Sequence, residues 1–141
     1  MIGKYKYEKL RSYPQMSVSD TALWDRFLWQ YPDMFESVDY DLRLGPWSDF
    51  RSDLPNAIEF DGIWNSLWRT DVVAYKDNET HIIEIKPNAM SNAIGQIICY
   101  DILYRAQFTN IQGLHLAIIT DIIKPPLQFC ADRLSIKLYI V

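Results

Sequence analysis

Two acids and a lysine are the residues of this sequence best placed to do chemistry. Asp71 lies in the strand-like run RTDVVAYK, and Glu84 and Lys86 lie near the end of a second run, THIIEIK. Because side chains alternate along a strand, Glu84 and Lys86 project from the same face. A strand that contributed only to a core would rarely carry two charged side chains on one face, so the pair indicates a site.

The turn between the two runs determines how closely these side chains approach one another. If Asp77 and Asn78 form a two-residue turn, Asp71 faces Glu84 across the hairpin, and a four-residue loop gives the same register. A three-residue loop would shift the register by one residue. In the first register the two carboxylates lie opposite each other, with Cβ atoms ~5 Å apart, and Lys86 shares their face.

This combination of side chains suits the cleavage of phosphodiester bonds. Carboxylates placed opposite each other repel, and one pKa rises unless a cation lies between them. Hard carboxylate oxygens bind Mg²⁺ or Mn²⁺, which acidify a bound water and neutralise charge on a scissile phosphate. A neighbouring lysine can orient the attacking water or stabilise the pentavalent state. The alternative is a surface salt-bridge cluster in which Lys86 neutralises two exposed acids.

The predicted elements around this hairpin alternate between helices and strands. The segment SVSDTALWDRFLWQYPDMF predicts a helix with an N-cap among Ser17, Ser19 and Asp20 and an end at Pro32. SVDYDLRLG alternates as one strand. After the hairpin we expect a long helix from about Ser91, the strand LHLAIIT, a short helix in KPPLQFCADRLS and the strand IKLYIV. The order α-β-(insertion)-β-β-α-β-α-β predicts an α/β fold, a mixed sheet with helices on its faces.

The length of the chain fits one domain, over residues 1–141. Residues 1–16 are expected to form an N-terminal arm or a short strand, and residues 46–68, which hold three tryptophans, are expected to be an insertion. No apolar run approaches the ~20 residues of a membrane span, so we expect no membrane partner. The N-terminus lacks an apolar signal core, which predicts an intracellular (cytoplasmic) protein.

Charge is distributed unevenly along the chain. Residues 20–61 contain ten acids and three arginines, whereas the remainder carries eleven Lys and Arg against eight acids. A nucleic-acid site is therefore expected on the remainder, and the alternative is surface charge that serves only solubility.

The histidines and cysteines do not form a recognisable metal motif. His81 and His115 each lack a Cys or His partner at ligand spacing, so we expect surface histidines rather than zinc ligands. Cys99 and Cys130 lie within apolar patterns and are expected to be reduced and buried.

The hairpin resembles the signature of the PD-(D/E)XK nuclease superfamily. The matching residues in RTDVVAYKDNETHIIEIK are Asp71, then twelve residues, then Glu84-Ile85-Lys86. The predicted element order is similar to the αβββαβ core of this restriction-endonuclease-like family, over about residues 17–141 apart from the insertion. The resemblance implies that Asp71, Glu84 and the backbone carbonyl of Ile85 hold a divalent metal, Mg²⁺ or Mn²⁺. It also implies that Lys86 assists the nucleophile.

Further residues bear on the resemblance. GQIICYDILYR contains Gln96-x-x-x-Tyr100, which is similar to the Q-x-x-x-Y helix of RecB-like branches, where that face borders the metal site and the DNA backbone. The alternative is an ordinary helix surface. Family members often carry an acid near the start of the first helix; Asp20 lies there, with Asp25 as a competitor, although the usual residue is Glu. Thr70 stands where the namesake proline would be, as in many members.

These likenesses imply a Mg²⁺-dependent deoxyribonuclease, with endonuclease and exonuclease action both left open. A role in DNA processing or recombination, or an origin in a phage or mobile element, fits the size of the chain. DNA is then the expected partner, and members of this size commonly work as homodimers. The alternative is a non-catalytic module on the same fold that binds nucleic acid or another subunit.

Overall fold

The chain folds into a mixed α/β structure around one central sheet. A computed structural model describes residues 2–44 and 67–141. In these ranges the elements are β1 (Tyr5–Lys6), α1 (Val18–Gln30), β2 (Ser37–Tyr40), β3 (Arg43–Leu44), β4 (Trp68–Arg69), β5 (Val72–Lys76), β6 (Glu79–Ile85), α2 (Ser91–Gln107), β7 (Leu114–Thr120), α3 (Pro125–Arg133) and β8 (Ile136–Ile140). The predicted insertion over 46–68 lies outside the described residues except for its last two positions.

The sheet has six strands in the order β1-β2-β5-β6-β7-β8. Each neighbouring pair from β1 to β6 is antiparallel, whereas β7 pairs in parallel with both β6 and β8. Parallel neighbours need a crossover, which α2 supplies between β6 and β7 and α3 supplies between β7 and β8. The predicted mixed sheet with flanking helices is therefore confirmed, and β3 and β4 pair with each other in a separate small sheet.

Helices bury the apolar side chains of both sheet faces. Alternation along β5 and β6 sends Val72 and Ile83 into a layer beneath α1, and Val73 and Ile82 into a layer beneath α2 and α3. Four residues of α1 are buried in its layer, namely Leu23, Trp24, Phe27 and Leu28. The same alternation places Glu84 on the α2 face, beside Ile82.

The predicted hairpin register is confirmed. Val73 pairs with Ile82, and Lys76 pairs with Glu79 at the end of the hairpin. Asp77 and Asn78 form the turn with φ angles of 52° and 64°. A two-residue turn in which both central residues have positive φ matches the twist of the flanking strands, and Asn and Asp tolerate that conformation.

The segment SVDYDLRLG forms two strands, so the prediction of a single strand is wrong. Asp41 adopts a φ of 55° between β2 and β3, which bends the chain out of the sheet. Before the bend, Val38 and Tyr40 are buried in the α1 layer; after it, Leu44 is buried in the α2 layer. The alternation in the sequence continues across Asp41 and gives no sign of this change of layer.

The N-terminal residues run along the edge of the sheet, where β1 pairs with β2. Tyr7 and Tyr13 of this segment are buried in the α1 layer. Among the described residues, no helix is long and apolar enough to cross a membrane.

The thiols are less buried than expected. Cys99 is half-buried and Cys130 is exposed, and both are free. The prediction of buried thiols is wrong for Cys130 because α3 contacts the sheet through Leu127 and Ala131, which leaves Cys130 on the outer side of the helix.

Candidate active site

A cleft of about 450 Å³ opens where the start of α1 meets the start of β5 and the end of β6. Five of the six candidate catalytic side chains line it, and they come from three different parts of the fold. The residues around it are Ser17, Ser19, Asp20, Asp71, Glu84, Ile85, Lys86, Pro87 and Gln96.

Asp71 and Glu84 meet inside this cleft, where their carboxyl groups interact directly. The backbone N–H of Ile85 donates to Oδ2 of Asp71 over 2.7 Å, which fixes the orientation of that carboxyl. Glu84 is only 5% exposed. Its Oε2 is buried and has no hydrogen-bond partner among the described residues. Because a buried acceptor without a partner is costly, this oxygen is a candidate to bind a ligand.

The environment favours the protonated form of both acids. Burial, the largest cause, raises the pKa of Asp71 to about 6 against the opposing hydrogen bond from Ile85. Burial, reinforced by the negative charge of Asp71, raises the pKa of Glu84 to about 9. Asp20 raises both pKa values and Lys86 lowers them. Without a metal the pair therefore retains a proton at neutral pH, and a divalent cation can take its place.

The N-terminus of α1 brings a third acid to the cleft. Ser17 caps the helix, and its Oγ accepts the N–H of Asp20 over 3.1 Å. Asp20 thereby borders the cleft. Asp25, the competing candidate, instead accepts a 2.5 Å hydrogen bond from Tyr13 and does not line the cleft.

Thr70, which stands in place of the motif's proline, has a structural role that proline could not fill. Its N–H donates to the carbonyl of Leu42 over 2.9 Å, across the small β3–β4 sheet. A proline has no N–H to donate, so the departure from the motif preserves the strand pairing next to Asp71.

The predicted pair on α2 lies side by side, but the two residues differ in position. Gln96 donates from Nε2 to the hydroxyl of Tyr100 over 2.6 Å, and that hydroxyl donates to the carbonyl of Arg69 over 2.9 Å. Gln96 borders the cleft, whereas Tyr100 is 2% exposed and does not. Tyr100 therefore joins α2 to β4 and holds Gln96 in place.

A second groove, of about 440 Å³, continues on the far side of Gln96. Trp68 stands over it with 53% of its surface exposed. Arg69 lies beside Trp68 and forms a 3.3 Å ion pair with Asp41. The α2 side of the groove is open at Gly95, where an added Cβ would meet no atom within 4 Å.

At the other end of β6 the structure brings together two histidines that lie far apart in the sequence. His81 and His115 are direct partners across the parallel β6–β7 pair. Their rings stack with centroids 4.6 Å apart, and Nε2 of His115 lies 3.4 Å from Oε2 of Glu79. Burial, and then the neighbouring His115, lowers the pKa of His81 to about 4, so its imidazole is neutral at pH 7. Spacing along the chain gives no signal for this cluster.

Comparison with known protein families, with curated proteins and with solved structures found no match to this chain. The likeness of residues 71–86 to a nuclease signature therefore stays a prediction. Any function assigned to the cleft depends on its own geometry and chemistry.

Proposed function

We propose that this protein is a metal-dependent nuclease that hydrolyses phosphodiester bonds in DNA. The observation that supports the proposal most is the contact between Asp71 and Glu84, with a buried, unpartnered Glu84 oxygen, in an open cleft that Lys86 also borders. The salt-bridge alternative requires two exposed acids, whereas Glu84 is buried.

The donors in the cleft fit a hard divalent cation such as Mg²⁺ or Mn²⁺. Asp71 and Glu84 offer carboxylate oxygens, and Asp20 adds a third carboxylate at the rim. The side chain of Ile85 is buried in the α1 layer, so its backbone is the part that borders the cleft. When bound, the metal would acidify a water and neutralise charge on the phosphate.

The other residues of the cleft would position the reactants. Lys86 supplies a positive charge on the same strand face as Glu84, where it can orient the attacking water and stabilise the negative charge that develops on phosphorus-bound oxygens. Gln96, held by Tyr100, offers an amide at the boundary between the cleft and the groove. Catalysis would therefore depend on positioning and electrostatics rather than on a covalent intermediate.

The groove beyond Gln96 supports a path for the nucleic acid. Exposed Trp68 offers an aromatic face to a base, and Arg69 offers a cation to a phosphate. Nucleotides adjoining the scissile phosphate could lie between these residues and the cleft.

The order of elements supports a restriction-endonuclease-like core as part of the proposal. The comparison leaves out the edge strand β1, the small β3–β4 sheet, and the final helix and strand. The remaining elements follow the order α1-β2-β5-β6-α2-β7, which corresponds to αβββαβ. An intracellular role in DNA processing or recombination, or in a phage or mobile element, and a homodimeric state belong to the same proposal. Sedimentation analysis of the purified protein tests the dimer.

Cleavage assays test the activity directly. Purified protein is incubated with plasmid, flap and junction DNA, and with matching RNA, in Mg²⁺ or Mn²⁺. We expect metal-dependent cleavage of DNA that Asp71→Asn, Glu84→Gln and Lys86→Ala abolish. Asp132→Asn and Lys137→Ala, which alter exposed residues far from the cleft in sequence, serve as matched controls. Equal cleavage by the wild type and the cleft variants would refute the assignment.

Metal titration separates the nuclease from a binding module on the same fold. A metal site at Asp71 and Glu84 should raise the melting temperature as Mn²⁺ is added, because the ion binds the folded chain preferentially. DNA binding without cleavage and without a Mn²⁺-dependent shift would instead favour the non-catalytic module.

A further inference from the structure

A second cluster of metal-ligating side chains lies at the opposite end of β6 from the cleft. Glu79, His81 and His115 each offer one ligand atom, and these atoms all lie within 4.8 Å of one another. The cluster shares no residue with the cleft. Glu79 is five residues from Glu84, or ~16 Å along a strand. His81 contacts Phe35 of the α1 layer, so the cluster lies on the other face of the sheet.

Strand pairing accounts for this convergence. Glu79 and His81 are two residues apart on β6, so their side chains share a face. Parallel pairing then sets His115 of β7 directly beside His81. Gly113, at a φ of 62°, allows the chain to pass close to Glu79, because a Cβ there would lie 3.1 Å from Cγ of Glu79. The glycine thus leaves room for the carboxylate beside the two rings.

The chemistry of the donors differs from that of the cleft. Two imidazoles and one carboxylate form a typical three-residue set for zinc, whereas Mg²⁺ prefers oxygen ligands alone. We propose that Glu79, His81 and His115 form a separate site for Zn²⁺ or a similar first-row transition metal, with a fourth position open to water. No described residue of the cleft takes part in it.

Small side-chain movements would complete the coordination. Tetrahedral zinc ligands lie about 3.3 Å apart, given bonds of about 2.0–2.1 Å. Nε2 of His115 and Oε2 of Glu79 are already 3.4 Å apart. Both side chains are about half exposed, at 48% and 52%, so they can rotate toward His81 without disturbing the core. Half-buried His81 is the fixed member of the set, packed against Phe35.

A metal at this position would join the first residues of β6 to those of β7. These strands are connected in sequence only through the long α2 crossover, so their parallel register is otherwise held by the ladder of backbone hydrogen bonds and the core. The distance separates the ion from the chemistry of the proposed nuclease, and an ion that binds only the folded chain would stabilise it.

Binding of Co²⁺ to untagged protein tests the site, since Co²⁺ substitutes for Zn²⁺ and its visible spectrum reports imidazole coordination. The double variant Asp71→Asn/Glu84→Gln removes the cleft as a competing site. We expect this variant to bind one Co²⁺ per chain with a spectrum of tetrahedral type, and Zn²⁺ to displace it. His115→Phe in the same background preserves ring stacking against His81 but removes the ligand nitrogen.

The expected result is that His115→Phe weakens Co²⁺ binding by more than about 100-fold, since even the loss of an outer-shell partner costs about 10–100-fold. Circular dichroism tests whether this variant is folded. Glu79→Gln is a second variant, which removes a different ligand of the proposed site. Unchanged Co²⁺ affinity in both variants, or loss of all binding in the cleft double variant, would overturn the proposal and leave an ordinary Glu79–His115 ion pair.

Discussion

The two ends of β6 present contrasting clusters of polar side chains. At its C-terminal end, Glu84 is buried against Asp71 on the α2 face, and a lysine borders the same cleft. At its N-terminal end, Glu79 lies exposed beside His81 and His115 on the α1 face. The first cluster offers only oxygen ligands and a cation, and the second offers two nitrogens and one oxygen. One strand therefore carries two clusters whose donor atoms differ in chemistry.

The contrast shows how burial and strand pairing distinguish the two clusters. Burial favours a proton on the Asp71–Glu84 pair, so ionisation of both acids without a nearby cation would be destabilising. The histidine cluster is stable without a metal, because exposed Glu79 is solvated and also lies near His115. We therefore expect ligand loss to affect activity at one end and only metal binding and stability at the other.

Removal of one cleft carboxylate should produce the largest effect. Glu84→Gln is expected to lower DNA cleavage in Mg²⁺ by about three orders of magnitude or more, because it removes a metal ligand and its charge from a buried site. The same protein should still bind one Co²⁺ at the histidine cluster. Single-turnover cleavage rates of Glu84→Gln and of the control Asp132→Asn measure the loss. An equal decrease in both variants would contradict the contrast between the two ends of β6.

The stability of the metal-free protein should depend on pH through Glu84. Its pKa rises on folding from 4.5 to about 9, so the stabilising effect of its proton is complete below pH 4.5 and is lost as pH rises toward 9. Glu84→Gln should flatten this decline and raise the free energy of unfolding at pH 8 by on the order of 1–3 kcal/mol.

Urea unfolding at several pH values, with and without Mg²⁺, measures this effect. Mg²⁺ should restore wild-type stability at pH 8 and should have little effect on the glutamine variant. Because His81, whose pKa is lowered to about 4 on folding, titrates alike in both proteins, the test is the difference between them. A decline in stability from pH 5 to pH 8 that is no steeper in the metal-free wild type than in Glu84→Gln would contradict the assigned burial of the carboxyl pair.

Loss of the amide at the boundary between cleft and groove should have a smaller effect. Gln96→Ala is expected to lower kcat/KM by roughly tenfold, which corresponds to about 1.4 kcal/mol, while leaving metal affinity unchanged. Gln128→Ala is a matched control, since Gln128 also donates to a residue four positions later, Asp132, at 2.7 Å. Equal decreases in the two variants would indicate a general effect of glutamine loss from a helix.

The hairpin turn should give the smallest effect. Asn78 has a φ of 64°, which glycine adopts without strain. Asn78→Gly should therefore preserve the β5–β6 register and raise the free energy of unfolding by a few tenths to about 1 kcal/mol. Thermal unfolding measures the gain, and a loss of cleavage in this variant would show that the turn affects more than the register.

The sequence predicted the cleft better than the histidine cluster because the two depend on different pairings. A turn of two residues determines an antiparallel register, so the approach of Asp71 to Glu84 could be derived from Asp77 and Asn78. The register of β6 against β7 depends on how a whole helix packs between them, and no local residue reports it. His81 and His115 were therefore treated as isolated side chains.

Two other differences have causes that the sequence pattern does not reveal. The bend at Asp41 is set by one backbone angle within an unbroken alternation of apolar residues, so a single strand was predicted where two exist. Asp20 and Asp25 could not be ranked from the helix alone, because the residue that engages Asp25 is Tyr13 of the N-terminal segment. A contact with a distant segment of the chain therefore distinguishes the two acids.

The small β3–β4 sheet has a consequence for engineering this protein. Leu44 and Trp68 are direct partners, so the chain departs from and returns to neighbouring positions. The cost of closing a loop between fixed ends grows only slowly with its length, by about 0.6 kcal/mol for each doubling. The paired strands therefore form a fixed base beside the groove that Trp68 and Arg69 line, and segments of different length and composition could be exchanged there while the carboxylates remain in place.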